Sequence, residues 1–315
     1  IRGEIRTRAD LVGDFSVAKN FRTPLYNFAV VVDDAEMSIS HVIRGEDHIS
    51  NTPKQILLLE ALGIVRPAYA HLPLVLGTDR SKLSKRHGPT SVLDYREQGY
   101  LPETLLNFMA LLGWHPEGDA EVFSMEEFVR GFSLERVQKA GAVFDIEKLN
   151  FLNKQHIRAY PVDALAIILK ERPEIAGARD RIDESPERWQ KIVALARERM
   201  ITLADVGEET RYFFAPLSYE KDLLRWKGKE PETAVLAHLG EIQKRLSALG
   251  AWDKSSIEQA IMPYAEERGR GEVLWPFRVA LSGRQNSPGP FDIADILGKE
   301  ETLSRLMSAQ QYLRT

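Results

Sequence analysis

Residues 42–55 run from a predicted β-strand into a predicted α-helix, and this order constrains the fold strongly. The strand ends in an apolar pair, and Gly45 permits a tight exit from it. The sequence TPKQ at 52–55 combines an N-cap threonine, a proline at the first helical position and a capping-box glutamine. We therefore predict a helix over 53–62 that ends at Gly63, a residue suited to the C′ position.

Four polar residues follow the end of this predicted strand: Arg44, Glu46, Asp47 and His48. In open parallel sheets, ligands bind at the carboxyl ends of the strands, so these residues form a candidate binding site. An alternative interpretation is that Arg44 and Asp47 simply pair with each other across the turn.

A basic loop, TDRSKLSKRHG at 78–88, follows an apolar strand-like run at 71–76. Lys82 and Lys85 are three residues apart with Ser84 between them, so both ammonium groups can reach one polyanion while the hydroxyl and backbone N–H groups complete its coordination. This pattern predicts a phosphate-binding loop. The alternative is a basic turn that is merely solvated.

The first part of the chain is predicted to be mixed α/β, half of a doubly wound sheet. The predicted strands are 1–8, 28–32, 39–43 and 72–76. The pattern then becomes helical: a helix over 102–113, a capping box at Ser124 and a helix N-cap at Asp145. A charged, weakly ordered connector is predicted at 171–187. The amphipathic helices predicted beyond it are 189–203, 233–249, 255–264 and 293–313.

Several ordered sequence blocks resemble those of bacterial glutamyl-tRNA synthetases, which are class I aminoacyl-tRNA synthetases. The blocks are YNFAVVVDD (26–34), RGEDHISNTPKQ (44–55), HLPL (71–74), KLSKR (82–86), GYLP (99–102), NFMALLGW (107–114), LWPFRVALSG (274–283) and SPG (287–289). The block KLSKR matches that family's form of the KMSKS signature. The five-residue match alone would be weak evidence, whereas ordered blocks over this length are strong evidence.

The resemblance implies an α/β plus all-α fold: the second half of a class I Rossmann-like catalytic sheet, then a stem-contact domain and a helical anticodon-binding domain. The implied ranges are 1–25 for the end of an acceptor-binding insertion, 26–77 for the half-sheet, 78–160 for the KMSKS loop and stem-contact domain, and 161–315 for the anticodon-binding domain. The family's H-x-G-H signature is absent from the sequence. We therefore expect a C-terminal portion of a longer synthetase that does not activate an amino acid alone.

The implied activity is ATP-dependent formation of glutamyl-adenylate, followed by transfer of the glutamyl group to tRNA(Glu). Catalytic roles are implied for Lys82, Ser84 and Lys85, and ATP binding for Lys82, Leu83, Ser84, Lys85 and Arg86. Glutamate binding is implied for Tyr26, Arg44 and Asp47. Anticodon contacts are implied for Arg278, Ser287 and Pro288, with Arg197 and Arg199 as weaker candidates whose alternative is an ion pair with neighbouring glutamates. Magnesium would be held mainly by the nucleotide phosphates.

Composition limits the partners and cofactors. The 42 basic and 46 acidic residues give a net charge of −4, so any RNA contact must come from local basic patches. The sequence has no cysteine, which excludes disulfides and thiolate metal sites, including a zinc module. We find no long apolar run or signal-like N-terminus and expect a cytoplasmic protein without a membrane partner. The family resemblance implies a monomer.

Two other functions compete with this interpretation. A glutaminyl-tRNA synthetase has similar catalytic blocks, but its anticodon domain is built of β-barrels, whereas the second half of this chain is predicted to be helical. The chain could also be a non-catalytic tRNA-binding module. Relatives that modify a tRNA base without reading an anticodon lack the helical half and fit poorly.

Overall fold

The structure is a computed structural model, and it describes residues 1, 3–84, 86, 88, 91–118 and 120–315. These residues form two compact units, Ile1–Leu152 and Asn153–Thr315. Within the described part, no helix is both long enough and apolar enough to cross a membrane. The four domain ranges given above remain predictions.

The first unit contains two small sheets. The antiparallel sheet pairs β1 (Ala18–Asn20) with β2 (Thr23–Pro24), and the parallel sheet pairs β3 (His41–Gly45) with β4 (Ala68–Leu72). The helices that begin in this unit are α1 (Tyr26–Glu36), α2 (Thr52–Leu62), α3 (Val92–Glu97), α4 (Pro102–Gly113), α5 (Met125–Gly131) and α6 (Ile146–Ala159). Helix α2 is the crossover between β3 and β4, so the doubly wound pattern is present as one parallel strand pair with its helix.

The sequence pattern predicted several helices of this unit correctly. Helix α2 ends at Gly63, which adopts φ +68° as the αL C-cap, and α4 has the predicted bounds. Ser124 and Glu127 form the predicted capping box of α5. The Asp145 carboxylate accepts hydrogen bonds from the backbone N–H groups of Glu147 and Lys148, which caps α6 as predicted.

The predicted strand at 28–32 is wrong, because these residues form the middle of α1. The run of valines has high β propensity, but propensity is a weak preference that tertiary packing overrides. Helix α1 packs against α2 and buries Val31 to 2% exposure. A hydrogen bond of 3.0 Å from Gln55 Nε2 to Asn27 Oδ1 joins the two helices.

The other strand predictions also need correction. The predicted strand at 72–76 is wrong, since β4 ends at Leu72, where it was expected to begin. Pro73 follows at once and has no N–H group to donate to a ladder. The strand predicted at 39–43 is shifted by two residues to β3, and the described residues of the 1–8 segment form no strand.

The second unit is helical throughout, and residues 153–315, all of which the structure describes, contain no strand. Its helices are α7 (Val162–Lys170), α8 (Arg179–Glu184), α9 (Pro186–Ala196), α10 (Val206–Thr210), α11 (Glu232–Ser247), α12 (Lys254–Arg268), α13 (Arg270–Ser282), α14 (Pro290–Leu297) and α15 (Lys299–Arg314). Their facing sides make one core, in which Leu165, Ile242, Phe277 and Leu306 are completely buried.

Three predictions for this unit are wrong. The supposedly weakly ordered connector contains a 3₁₀ helix (Pro173–Ala178) and α8, and it buries Ile175 and Ile182 to 4% and 3% exposure. The helix predicted over 293–313 is two helices, because Gly298 adopts φ +82° between them. The helix predicted over 189–203 ends at residue 196.

Replacing Leu165 with alanine should lower the free energy of unfolding by about 2–5 kcal/mol, because the cavity left in this core cannot fully collapse. The matched control is Ile167→Ala on the same helix, where the side chain is 70% exposed and the expected cost is below about 0.5 kcal/mol. Urea unfolding followed by circular dichroism measures both. Equal losses in the two variants would contradict the packing described.

Candidate functional site

Arg44 lies near the end of β3, directly opposite His71 in the β4 register. Its Nη2 donates hydrogen bonds of 2.8 Å to Thr52 Oγ1 and 2.7 Å to Gln55 Oε1. Its guanidinium carbon lies 5.5 Å from the centroid of the Tyr69 ring, within cation–π range. The plane of the guanidinium is thus fixed by the start of α2 on one side and by β4 on the other.

The capping box predicted for residues 52–55 is wrong, since Asn51 is the N-cap and makes no side-chain capping bond. The Thr52 hydroxyl instead donates to the His48 carbonyl at 3.2 Å and lies 3.0 Å from His71 Nε2. Gln55 is 1% exposed, and its side chain accepts a hydrogen bond from Arg44 and donates one to Asn27 of α1. The two side chains expected to cap the helix therefore orient Arg44.

His71 completes this network from β4. It is 6% exposed, and burial lowers the pKa of His71, with the nearby positive charge of Arg44 acting in the same direction. The imidazole is therefore neutral at neutral pH and can act as a hydrogen-bond partner of Thr52 without adding charge.

Tyr26 is half exposed at the start of α1, and its hydroxyl lies 3.3 Å from His48 Nδ1. Burial raises the pKa of Tyr69, and Tyr26 and Arg44 are both close enough to influence that pKa. Tyr69 is therefore near both Arg44 and Tyr26, two of the residues predicted to bind glutamate. The sequence analysis did not single out Tyr69, although it lies two residues before the family block that begins at His71.

A cavity of about 690 Å³ adjoins this network. Its lining includes Thr52, Tyr69 and His71, together with the chain near Arg6 and Val12. The volume lies within the range of small-molecule sites, which is about 300–1,000 Å³.

The basic loop meets this network through an ion pair between Lys82 Nζ and Asp47 Oδ2 at 2.7 Å. The alternative pairing of Arg44 with Asp47 is therefore wrong. Because Lys82 lies close to its carboxylate, the pKa of Asp47 is well below its usual value. Both side chains keep substantial exposure, 62% for Lys82 and 40% for Asp47, so water screens the pair.

The loop itself is a short hairpin. Leu76 and Lys82 form an antiparallel bridge, and Leu83 N donates to Val75 O at 2.9 Å. Arg86 Nη2 donates to Asp79 Oδ2 at 3.2 Å and to Ser81 Oγ at 2.7 Å, which ties the far side of the loop to its turn.

Of the predicted nucleotide-binding residues, Lys82 and Ser84 have exposed side chains, Leu83 is partly buried and Arg86 is exposed. The predicted catalytic residue Lys85 lies outside the described residues. The described loop thus presents polar groups to solvent beside Asp47.

In the second unit, Arg278 contacts carbonyl groups and an aromatic ring. Its Nη1 donates to Ser287 O at 3.3 Å, and its Nη2 donates to Gln285 O at 2.8 Å. The guanidinium carbon lies 4.6 Å from the Trp275 ring centroid. Burial lowers the pKa of Arg278, with the charge of Arg199 contributing, although an arginine stays ionised at neutral pH.

Ser287 and Pro288 are both buried, so their side chains are not presented to solvent. The Ser287 hydroxyl lies 3.1 Å from Ser282 Oγ, and its carbonyl accepts from Arg278. Gln285 and Asn286, directly before this turn, are exposed, and the sequence analysis did not name them as contacts. The sequence contains a signal for both residues, because they follow Gly283, the glycine that ends α13.

The weaker arginine candidates are held by neighbouring groups, as the alternative interpretation expected. Arg199 Nε donates to Glu209 at 2.8 Å, and Arg197 Nη1 donates to the Tyr160 carbonyl at 3.1 Å. Arg197 also approaches Glu198 at 3.5 Å. Both lie just beyond the end of α9, not on a helix as predicted.

Among the residues that the structure describes, no group of three or more histidine, cysteine, aspartate or glutamate side chains could hold a metal ion.

Two family models match consecutive parts of the chain. Residues 1–151 match the catalytic domain of tRNA synthetases class I (E and Q), and residues 163–310 match an anticodon binding domain. The chain belongs to the class I tRNA synthetases of this E and Q type. Its architecture is accordingly a partial Rossmann-like domain followed by a helical anticodon-binding domain.

Curated relatives support this membership. The chain is 41% identical over 319 residues to a glutamate–tRNA ligase of Moorella thermoacetica and 43% identical over 321 residues to glutamate–tRNA ligase 1 of Caldanaerobacter subterraneus subsp. tengcongensis. The matches cover 100% and 99% of this chain and 65% of each relative. The chain therefore spans about two thirds of the length of these relatives.

Solved structures of two synthetases resemble this one. A glutamate tRNA ligase from Elizabethkingia meningosepticum, in complex with its amino acid, matches with a TM-score of 0.82 and 36% identity, covering 94% of this chain and 62% of that one. The glutamate–tRNA synthetase of Elizabethkingia anophelis matches with a TM-score of 0.81 and 33% identity, covering 96% and 63%.

Replacing Lys82 with methionine in this synthetase chain should raise the pKa of Asp47 toward the ordinary aspartate value of about 3.9. The Asp47 pKa is depressed, so the pair's contribution to stability is present above the ordinary pKa and disappears as the pH falls through the lower, folded-state value. Carboxyl-detected NMR titration measures this shift. Lys54→Met is the control, because that ammonium lies over the Phe15 ring and should leave the Asp47 pKa unchanged. An unaltered Asp47 pKa in the Lys82 variant would contradict the ion pair.

Proposed function

We propose that the full-length gene product is a glutamate–tRNA ligase that activates glutamate with ATP and transfers it to the 3′ end of tRNA(Glu). The observation that carries this proposal is the contact between Lys82 and Asp47, which joins the basic loop to the segment that bears Arg44. The named relatives and the family models support the same activity.

In the first step, an oxygen of the glutamate α-carboxylate attacks the α-phosphorus of ATP. A P–O bond forms to the carboxylate, the bond to the β-phosphate oxygen breaks, and pyrophosphate leaves. Both reactants are anionic, so cations aimed at the developing charge lower the barrier. In the second step a hydroxyl of the terminal ribose attacks the activated carbonyl, AMP leaves and the hydroxyl proton is lost.

Lys82 has the position for a phosphate contact, with Lys85 proposed as the more direct partner of pyrophosphate. For this contact the Lys82 ammonium must leave the Asp47 carboxylate and bind a phosphate oxygen. Its ion pair with Asp47 is exposed and therefore weak. Each such cation in a water-poor site contributes about 3 kcal/mol to transition-state stabilisation. Magnesium, held by the nucleotide phosphates, would neutralise part of the remaining charge.

Arg44 is proposed to bind the glutamate substrate. Thr52 and Gln55 both engage Nη2, which fixes the guanidinium plane, and no hydrogen bond from Nη1 is found in the described part of the chain. A carboxylate can then approach Nη1 without displacing the supporting bonds. Tyr26 would close the pocket from α1, and Asp47 would meet the substrate ammonium once Lys82 has moved to the phosphates.

The second unit is proposed to read the tRNA anticodon. Its residues contain no strand, which fits the helical anticodon domain and not the β-barrels of a glutaminyl-tRNA synthetase. Arg278 would contact an unstacked base, beside the exposed polar residues Gln285 and Asn286. Splayed single-stranded bases are the usual target of sequence-specific RNA recognition.

In the full-length gene product, Arg44→Ala should reduce glutamate activation at least about 100-fold, because the substrate carboxylate loses a charge-assisted partner and the buried Oε1 of Gln55 loses its donor. ATP–pyrophosphate exchange with tRNA present measures the loss, and filter binding shows that tRNA affinity is retained. The control is Arg314→Ala, an exposed residue at the end of α15. Exchange at the unmodified rate in the Arg44 variant would refute its assignment to the substrate.

Arg278→Lys should weaken tRNA binding about tenfold, because a lysine cannot reach two carbonyls and stack on Trp275 at once. Binding to tRNA(Glu) is measured over a series of salt concentrations. Arg270→Lys is the matched control, since Arg270 is exposed and, in the described chain, pairs with Glu266 four residues earlier. A loss that is equal for tRNA(Glu) and an unrelated tRNA would rule out base reading by Arg278.

A further inference from the structure

The second unit contains a cavity of about 910 Å³ that the proposed function does not use. The segment 213–219 lines part of it, and residues of α8, α9, α14 and α15 also line it. Helix α13 contributes Ala280, which is about 200° around the helix from Arg278. The cavity therefore opens on a different face of α13 from the proposed anticodon contact.

Three arginines line this cavity: Arg181, Arg188 and Arg305. Each is anchored by a backbone carbonyl. Arg181 donates to Phe214 O, Arg188 Nε donates to Ile296 O at 3.1 Å, and Arg305 Nη1 donates to Leu281 O at 2.5 Å. One anchored N–H leaves most of the five donors of a guanidinium available for a ligand.

The charge of these arginines is only partly balanced. Glu301 is the one carboxylate among the lining residues, and it pairs with Arg305 at 2.6 Å. In the described chain, neither Arg181 nor Arg188 forms an ion pair. Burial lowers the pKa of Arg188, the charges of Arg305 and Arg181 lower it further and Glu301 opposes them, so Arg188 lies close enough to both other guanidiniums to be repelled by them. An anion bound among them would relieve this repulsion.

Aromatic rings lie beside the arginines. Tyr219 and Tyr312 meet edge to face with their centroids 6.0 Å apart, and Phe214 lines the same cavity. Burial raises the pKa of Tyr219 to about 12, so its hydroxyl stays protonated and can donate a hydrogen bond. Tyr312 is 38% exposed, and the Lys221 ammonium lies 5.5 Å from its ring centroid, so the remaining exposed surface of the ring can receive a planar ligand.

We propose that this cavity is a binding site for a nucleoside diphosphate, separate from the loop that carries Lys82. Its volume lies at the upper end of the usual range for small-molecule sites, which suits a nucleotide. Several guanidiniums in one concave site match the charge concentrated on a diphosphate. An RNA strand carries one charge per nucleotide along its length and would favour an extended groove. The tyrosine rings provide the stacking surface for the base.

The test is hydrogen–deuterium exchange of the full-length gene product with ADP as the probe. We expect ADP to slow backbone exchange over residues 213–219 and 299–312. The variant Arg181→Glu/Arg188→Gln should need about tenfold or more ADP for half-maximal protection, because two charge-assisted contacts are lost. Arg181→Glu alone should show part of this loss, and its exposed position at the cavity rim keeps the fold intact.

Two control variants distinguish ADP binding in this cavity from ADP binding elsewhere in the protein. The Arg268→Ala variant changes an exposed arginine outside the cavity. ADP should protect residues 213–219 of this variant as it does in the unmodified protein. Lys82→Ala should also retain protection there, even if nucleotide binding at the basic loop is lost. These variants keep a failure of this proposal distinct from a failure of the proposed ligase activity.

Three results would overturn the proposal. One is the absence of protection by ADP in both segments. Another is equal protection by inorganic phosphate at matched concentration, which would show an anion site without base recognition. The third is protection by tRNA but not by ADP, which would assign the cavity to RNA.

Discussion

The parallel pairing of β3 with β4 places Arg44 beside His71, and the candidate catalytic region depends on that register. Helix α2 connects the two strands and contributes Thr52, which contacts both Arg44 and His71. A shift of one residue would turn Arg44 to the opposite face of the sheet. The hydrogen bonds at the start of α2 hold the register, since their donors and acceptors come from three separate elements.

The Asp47–Lys82 pair adds a contact of a different kind to this rigid network. The hydrogen bonds around Arg44 are partly buried and involve the buried side chains of Gln55 and His71, at 1% and 6% exposure, whereas the ion pair is exposed and screened by water. Buried hydrogen bonds are costly to leave unmade, while an exposed pair is easily exchanged for another partner. The part of the site that bears Arg44 is therefore fixed, whereas the Lys82 ammonium can exchange its carboxylate for another anion.

The sequence predicted the helices of this chain better than its strands, for reasons visible in particular residues. Gly63, Ser124 and Asp145 end or begin helices through local bonds that a sequence shows directly. The valines of α1 were misassigned because burial against α2, a long-range effect, outweighs their β propensity. Arg44 was identified from its position after a strand, but its partners Thr52 and Gln55 were assigned to capping, since spacing alone cannot distinguish the two uses.

Helix α2 begins without a side-chain cap, because Thr52 and Gln55 point to Arg44 instead. A good N-cap contributes about 1 kcal/mol to a helix, so this arrangement gives up stability in order to hold an arginine in place. Laboratory evolution for thermal tolerance would therefore reward changes at the first turn of α2 that recover the missing cap. Variants selected in that way would gain melting temperature and lose the hydrogen bonds that orient Arg44, so stability and the placement of this arginine oppose each other at this turn.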